Sequence, residues 1–222
     1  MVQTENYTGH TIWISKLVED IGSRLPLSTV PAALLTIGLI PYGLTVAFFV
    51  VADGQPDPSF VLYHSLAAVI PFLGPALIWH YDENIFPTFL TEVQDVVEDT
   101  GALVETVERY ERFFAERYWL VMIPWTLFLL GVVIANVGFF TEHGVTGVFD
   151  VAFVIYLGFV LWVGILSGIG VHGAVTTIFC VRAVGNLDLT IDPLHHDGLG
   201  GLSTIGYVSI RTTLLISVGS FG

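Results

Sequence analysis

The chain has 222 residues, of which 54% are apolar and only 12% are charged, and its mean hydropathy is +0.77. Soluble domains carry about 25% charged residues, so the composition excludes a soluble domain and indicates an integral membrane protein. Twenty acidic and seven basic residues give a net charge of −13. This balance argues against nucleic-acid binding and against docking on anionic lipid through a basic surface.

Four stretches contain no Asp, Glu, Lys or Arg: residues 25–52, 59–79, 118–140 and 151–181. About 20 helical residues cross the ~30 Å hydrocarbon core, and a helix satisfies its own backbone hydrogen bonds there. We therefore predict an all-α, polytopic protein in the lipid bilayer. Transmembrane helices 1 and 2 are expected within residues 25–81, and helices 3 and 4 within residues 118–182. Prolines are expected to kink three of the spans, at Pro41, Pro71, Pro75 and Pro124.

The basic residues lie on alternate sides of successive spans, at Lys16, Arg24, Arg109, Arg112, Arg117, Arg182 and Arg211. The positive-inside rule places the N-terminal segment 1–24, the segment 82–117 and the loop 183–201 in the cytoplasm. Residues 1–24 lack the pattern of a cleaved signal peptide. The first span is therefore expected to stay as an anchor in the cell membrane.

Residues 82–117 carry ten of the twenty acids, and their apolar residues recur at steps of three and four. This pattern predicts a cytoplasmic amphipathic helical hairpin, with a stop and restart at residues 99–102. Gly101 is expected to end the first arm, and Asp99 or Thr100 to cap the second. The second arm is expected to run without a break into the third span.

Two acid–base pairs in the second arm stand four residues apart with the acid first, the orientation that best stabilises a helix. They are Glu105 with Arg109 and Glu108 with Arg112. The single cysteine, Cys180, excludes an internal disulfide and is expected to be a buried structural thiol.

Ionisable residues within membrane segments are functional candidates because their desolvation requires a partner or water. They are His64, His172 and Arg211. Gly164 and Gly168 precede His172 at steps of four, a small-residue pattern that lets another helix approach closely. Arg211 divides a fifth apolar segment, 202–222, which we expect to be either a complete or a partial membrane helix.

Two clusters of histidine and acid on the predicted cytoplasmic side are candidate ligands for a divalent metal ion. The candidates are His80, Asp82, Glu83, His195, His196 and Asp197. Their spacing matches no helical metal motif. In the alternative interpretation Asp197 caps the following helix, and the glycines after it form a turn.

The stretch PLHHDGLGGL, residues 193–202, resembles an element of uncharacterised multi-pass membrane proteins of archaea and bacteria. The acidic, lysine-poor loops are similar to those of proteins from salt-loving archaea. The resemblance implies a multi-pass membrane protein of haloarchaeal type, and it brings no activity with it.

Three functions remain open. The kinked spans and the Gly164, Gly168 and His172 face favour an oligomeric channel- or transporter-like bundle with that face inside. The acidic helices of 82–117 favour a sensory or scaffolding module that binds a cytoplasmic protein partner. The histidine–acid clusters favour a metal-dependent membrane enzyme.

Overall fold

The computed structural model describes residues 9–52, 57–94 and 96–189, together with residues 203 and 206. This part of the chain is helical, with one isolated antiparallel bridge between Val97 and Leu189. The elements are α1 (Trp13–Arg24), α2 (Thr29–Leu35), a 3₁₀ turn (Ile37–Leu39), α3 (Ile40–Val51), α4 (Pro58–Ala67), α5 (Val69–Val93), α6 (Thr100–Arg117), α7 (Trp119–Ala135), α8 (Val137–Thr141) and α9 (Val151–Val184).

Three helical stretches are long and apolar enough to cross a membrane: Thr29–Val51, Pro58–Thr91 and Val151–Val184. A fourth is present if α6 and α7, which meet at an angle of 41°, form one span. The all-helical class is therefore confirmed, with three or four such helices. Arg211, His195, His196 and Asp197 lie outside the described residues.

Two breaks between helices lie a few residues before predicted proline kinks, one before Pro41 and one before Pro71. The chain leaves helical geometry at Thr36 (φ −117°, ψ −92°), and α3 begins with Pro41 in its first turn, where proline is tolerated. At this break a Cβ on Gly38 would lie 2.7 Å from the Phe72 carbonyl oxygen, so only glycine allows the contact with α5. The second break, at Ala68, separates α4 from α5.

Two helices extend well beyond the thickness of a bilayer. The 34 residues of α9 span about 51 Å at 1.5 Å per residue, and the stretch Pro58–Thr91, formed by α4 and most of α5, has the same number of residues. Helix α5 runs without interruption through residue 82, where the predicted cytoplasmic segment starts, and ends at Val93. The first arm of the predicted hairpin is thus the end of a membrane-length helix.

The turn after α5 also differs from the prediction. Helix α5 ends at Val93, α6 begins at Thr100, and Gly101 lies inside α6 rather than ending a helix. Val96 and Val97 are buried in this turn, and the Glu98 N–H donates to the Asp188 carbonyl at 3.1 Å. Contact with the chain after α9 therefore fixes the turn. The cap prediction is confirmed, since the Asp99 side chain accepts from the Ala102 N–H at 3.0 Å.

The largest apolar core lies at one end of the molecule, and we call this end the cap. The cap consists of α1, the end of α5 from residue 81, α6, and the end of α9 from residue 172. Buried side chains from these helices include Ile14, Phe89, Val93, Leu103, Val107, Phe114, Cys180 and Val184. The burial of Cys180 confirms the expectation for this thiol. A smaller aromatic core around Phe48, Phe140 and Phe153 lies at the opposite end of α9.

Helix α6 occupies the residues of the predicted second arm, but it does not continue straight into α7. The chain turns by 41° at Tyr118, between the two helices. Within α6 the Glu105–Arg109 pair is confirmed at 2.8 Å. The Nε of Arg112 donates to His10 on the segment before α1 at 3.2 Å, so this arginine joins α6 to that segment.

Candidate functional site

Four polar side chains join the cap to the membrane-length helices, and we call them the polar junction. They are Tyr81 and Asp82 on α5 and His172 and Thr177 on α9, and each is buried. A buried polar group without a hydrogen-bond partner destabilises the folded state. The partners of these four side chains therefore identify the helices that the junction connects.

Tyr81 links α5 to α9. Its hydroxyl donates to the Gly173 carbonyl oxygen at 2.8 Å and forms a short hydrogen bond with the Thr177 hydroxyl. A Cβ on Gly173 would lie 3.1 Å from the Phe114 ring and 3.4 Å from the Tyr81 ring. The glycine therefore lets α5 and α6 approach the same point of α9.

Asp82 links α5 to α1. Its Oδ2 accepts the Ile12 N–H at 3.0 Å, and Ile12 is the N-cap residue of α1. An isoleucine side chain cannot cap a helix, so the carboxylate of α5 does so from another part of the chain. The buried Ser15 hydroxyl lies beside the same carboxylate. Asp82, a predicted metal ligand, thus acts as a helix cap here.

His172 links α9 to α6. It is fully buried, and its Nε2 lies 3.2 Å from the Phe113 carbonyl oxygen. A carbonyl only accepts, so Nε2 must carry the proton that is donated. The imidazole stacks on the Phe114 ring at 5.9 Å with an interplanar angle of 11°. His172 therefore holds the last turns of α6 just before the chain bends at Tyr118.

The small-residue face of α9 is occupied by α7 of the same chain. A Cβ on Gly164 would lie 2.9 Å from Thr126, and one on Gly168 would lie 2.7 Å from the Met122 Cα. One turn away on the same pair of helices, Trp125 Nε1 donates to the Ser167 hydroxyl at 3.0 Å. These glycines serve packing within the chain in the structure.

His64 lies at the opposite end of the molecule from the cap. Its Nε2 is 3.1 Å from the Thr45 hydroxyl, which itself donates to the Pro41 carbonyl at 2.7 Å. Because the Thr45 proton is used in that bond, the imidazole is the donor. The ring packs between Phe60 and Phe159, at 5.9 and 4.4 Å. His64 thus joins α3 to α4 within an aromatic cluster.

The predicted metal ligands do not converge in the part of the chain that is described. His80 is exposed and bonds to Asn84, Glu83 is exposed, and Asp82 faces α1. Among the described residues no group of three His, Cys, Asp or Glu side chains is arranged to hold a metal ion. A site that includes His195, His196 and Asp197 stays a prediction.

One cavity, of about 80 Å³, lies between α5 and α9. Its lining is apolar apart from Tyr81, and includes Ile70, Leu77, Leu166 and Ile169 together with Gly74, Gly170 and Gly173. Such a lining suits hydrocarbon rather than an ion or a polar solute.

Sequence reasoning identified His172 and Asp82 but not their roles, and it missed Tyr81 and Thr177. A threonine one turn after an intramembrane histidine is a weak signal for interhelical bonding. The partners of His172 and Asp82 are backbone groups, which the sequence does not mark. Comparisons with protein-family models, curated proteins and solved structures found no match for this chain.

Proposed function

We propose that this chain is a multi-pass protein of the cell membrane that holds a helical cap at the cytoplasmic surface. The cap acts as a sensory or scaffolding module that binds a partner protein. The polar junction is the observation that carries the proposal. Through Tyr81, Asp82 and His172 it fastens α1 and α6 to membrane-length helices, so a movement of the spans is passed directly to the cap.

The distribution of charge supports the orientation. In the part of the chain that the structure describes, the basic residues are Lys16, Arg24, Arg109, Arg112, Arg117 and Arg182, and all of them lie in the cap. The opposite end, around Glu142 and Asp150, has none within residues 141–150. The positive-inside rule then places the cap in the cytoplasm.

The outer surface of the cap supports a role in partner binding. The apolar side of α6 faces the core through Leu103, Val107 and Phe114, while Glu105 and Arg109 point into solvent with 75% and 68% of their side chains exposed. An ion pair this exposed contributes little to stability, so it can exchange for contacts with another protein. The chain carries a net charge of −13, and a partner with a basic surface therefore fits best.

The geometry gives the channel- or transporter-like bundle less support. Its predicted pore face, Gly164, Gly168 and His172, is in contact with α7 and α6 of the same chain. A polar path needs side chains or carbonyls that face water, and the cavity between α5 and α9 is apolar. Flux through liposomes that is lost in His172→Ala would favour the channel over the cap.

Charge reversal at the cap tests the proposal. The affinity-tagged full chain is purified from the membranes of its own host after photo-crosslinking from a position on the exposed side of α6, and the crosslinked protein is identified. Glu105→Lys should abolish the stoichiometric co-purification of the crosslinked partner with the tagged chain. Glu142→Lys reverses an exposed acid at the opposite end and should leave it unchanged.

Two results would contradict this proposal. One is the absence of any stoichiometric crosslink from α6 when a crosslinker in the membrane-facing part of α3 gives lipid adducts as expected. The other is equal loss of the partner in Glu105→Lys and Glu142→Lys, because binding would then depend on overall charge and not on the cap.

A further inference from the structure

A polar groove lies where the segment before α1 meets the end of α6. It has a volume of about 570 Å³ and is lined by Gly9, His10, Thr11, Trp13, Lys16, Ala115, Glu116 and Tyr118. None of the described lining residues belongs to the polar junction. A partner protein bound to Glu105 and Arg109 on the exposed side of α6 would not account for this groove.

Two basic side chains lie in or beside the groove. Lys16 lies in its wall, and the Arg112 Nε donates to the wall residue His10 at 3.2 Å. Because the His10 Nε2 accepts that bond, the Nδ1 is the ring nitrogen that can donate a hydrogen bond. Among the described residues that line the groove, Glu116 is the acidic one.

The groove contains residue types that are typical of a membrane–water interface. Trp13 and Tyr118 stand in its walls, and tryptophan and tyrosine are enriched at the level of the lipid headgroups. Directly after Tyr118, α7 begins an exposed apolar surface with Trp119, Leu120 and Ile123. A molecule in the groove would therefore have cations on one side and a hydrocarbon-compatible surface on the other.

We propose that this groove binds the phosphate-bearing headgroup of an anionic membrane lipid, with Lys16 of its wall as the phosphate contact and Arg112, which bonds to the wall residue His10, as the neighbouring cation. The inference depends on the proposed location of the chain in a membrane. Lysine and arginine both bind phosphate well, arginine through paired N–H donors. A lipid suits the groove better than a soluble anion because its glycerol and acyl chains can continue along the exposed side of α7.

Binding of a defined lipid to the full chain tests the inference. The protein is purified in a zwitterionic detergent, and the affinities for phosphatidylglycerol and phosphatidylcholine are compared by native mass spectrometry. Each cation near a headgroup contributes about fivefold in affinity. Lys16→Gln should therefore weaken phosphatidylglycerol binding about fivefold, and Lys16→Gln with Arg112→Gln about 25-fold.

Matched variants separate a site from general electrostatics. Arg24→Gln on α1 and Arg109→Gln on α6 remove the same charge from the same helices outside the groove, and should change the affinity less than about twofold. Lys16→Arg should retain binding, and Glu116→Gln should strengthen it, because the substitution removes the carboxylate from the wall. Lys16 and Glu116 are both exposed, so these variants are expected to fold.

Three results would overturn the inference: equal affinity for phosphatidylglycerol and phosphatidylcholine, equal losses in the groove and control variants, or displacement of the lipid by soluble glycerol phosphate at similar concentration. The last would assign the groove to a soluble anion. Flotation of the wild-type chain with phosphatidylcholine liposomes checks the membrane location separately. A chain that floats but shows no lipid preference refutes the groove and leaves the proposed function standing.

Discussion

Two glycines on α9 provide the sharpest test of how the membrane-length helices pack. Gly168 and Gly170 are two residues apart on one helix, but only Gly168 lies against a neighbour. A Cβ at Gly168 would be 2.7 Å from the Met122 Cα, whereas a Cβ at Gly170 would meet no atom within 4 Å. Carbon atoms pack at about 3.5–4.0 Å, so Gly168→Ala must push α7 and α9 apart by roughly 0.8 Å at this point.

The comparison cancels the effect of helix propensity. Both variants replace a glycine inside a helix with alanine, and each gains about 0.5–1 kcal/mol from this change. The clash at Gly168 adds a cost of about 1–3 kcal/mol that Gly170→Ala does not have. A difference of this size corresponds to about 2–12 °C in Tm for a chain of this length.

Thermal unfolding of the two purified variants in detergent, followed by circular dichroism, measures the difference. We expect Gly168→Ala to melt below Gly170→Ala, and Gly170→Ala to melt at or above the wild type. Equal melting temperatures for the two variants would show that α7 does not approach α9 at Gly168, and would refute the packing described here.

Three further predictions concern hydrogen bonds at the polar junction and at the start of α9. Tyr81→Phe should lower the free energy of unfolding by about 0.5–1.5 kcal/mol, while Tyr63→Phe, at an exposed position, should leave it unchanged, as chemical denaturation can show. Asp82→Ala should speed hydrogen exchange at the start of α1, and Glu83→Gln, an exposed neighbour, should not; equal rates would count against the cap role of Asp82. Backbone and side-chain hydrogen bonds to Asp150 lower the pKa of its carboxyl. The Asp150 side chain should therefore stabilise the protein relative to Asp150→Ala, fully above the ordinary carboxyl pKa of about 4. This stabilisation is lost as the pH falls through the lower pKa of the folded state. A difference in Tm between the two proteins that is constant from neutral pH to about pH 2 would disprove this.

Composition and periodicity were sufficient to predict the helical class, because charge-free stretches of membrane length have few other solutions. Three local features were also predicted correctly. The Asp99 cap, the Glu105–Arg109 pair and the burial of Cys180 each depend on residues close in sequence or on the apolar character of one side chain.

The continuity of α5 through residue 82 could not be predicted, since it depends on a contact with a distant part of the chain. A run of charged residues after an apolar stretch normally marks the end of a span. Here Asp82 is buried by α1 and bonds to the Ile12 N–H, 70 residues away in sequence, so α5 continues as a helix. The end of α5 at Val93 likewise depends on distant contacts, because Val97 and Glu98 pair with Leu189 and Asp188 after α9.

The role of His172 was hidden for a different reason. Its partner is the Phe113 backbone carbonyl, and any residue type at position 113 would supply the same acceptor. Spacing placed His172 on one face with Gly164 and Gly168, which is correct for a helix. It could not show that neighbouring helices of the same chain cover this face.

Side-specific cysteine labelling tests most directly whether the cap lies together on one side of a membrane. In a Cys180→Ser background, single cysteines are placed at Arg24, Glu105 and Glu142 and treated with a membrane-impermeant maleimide in sealed, oriented vesicles. We expect the cysteines at positions 24 and 105 to react from the same side and that at 142 from the other. Labelling of positions 105 and 142 from one side would contradict the account.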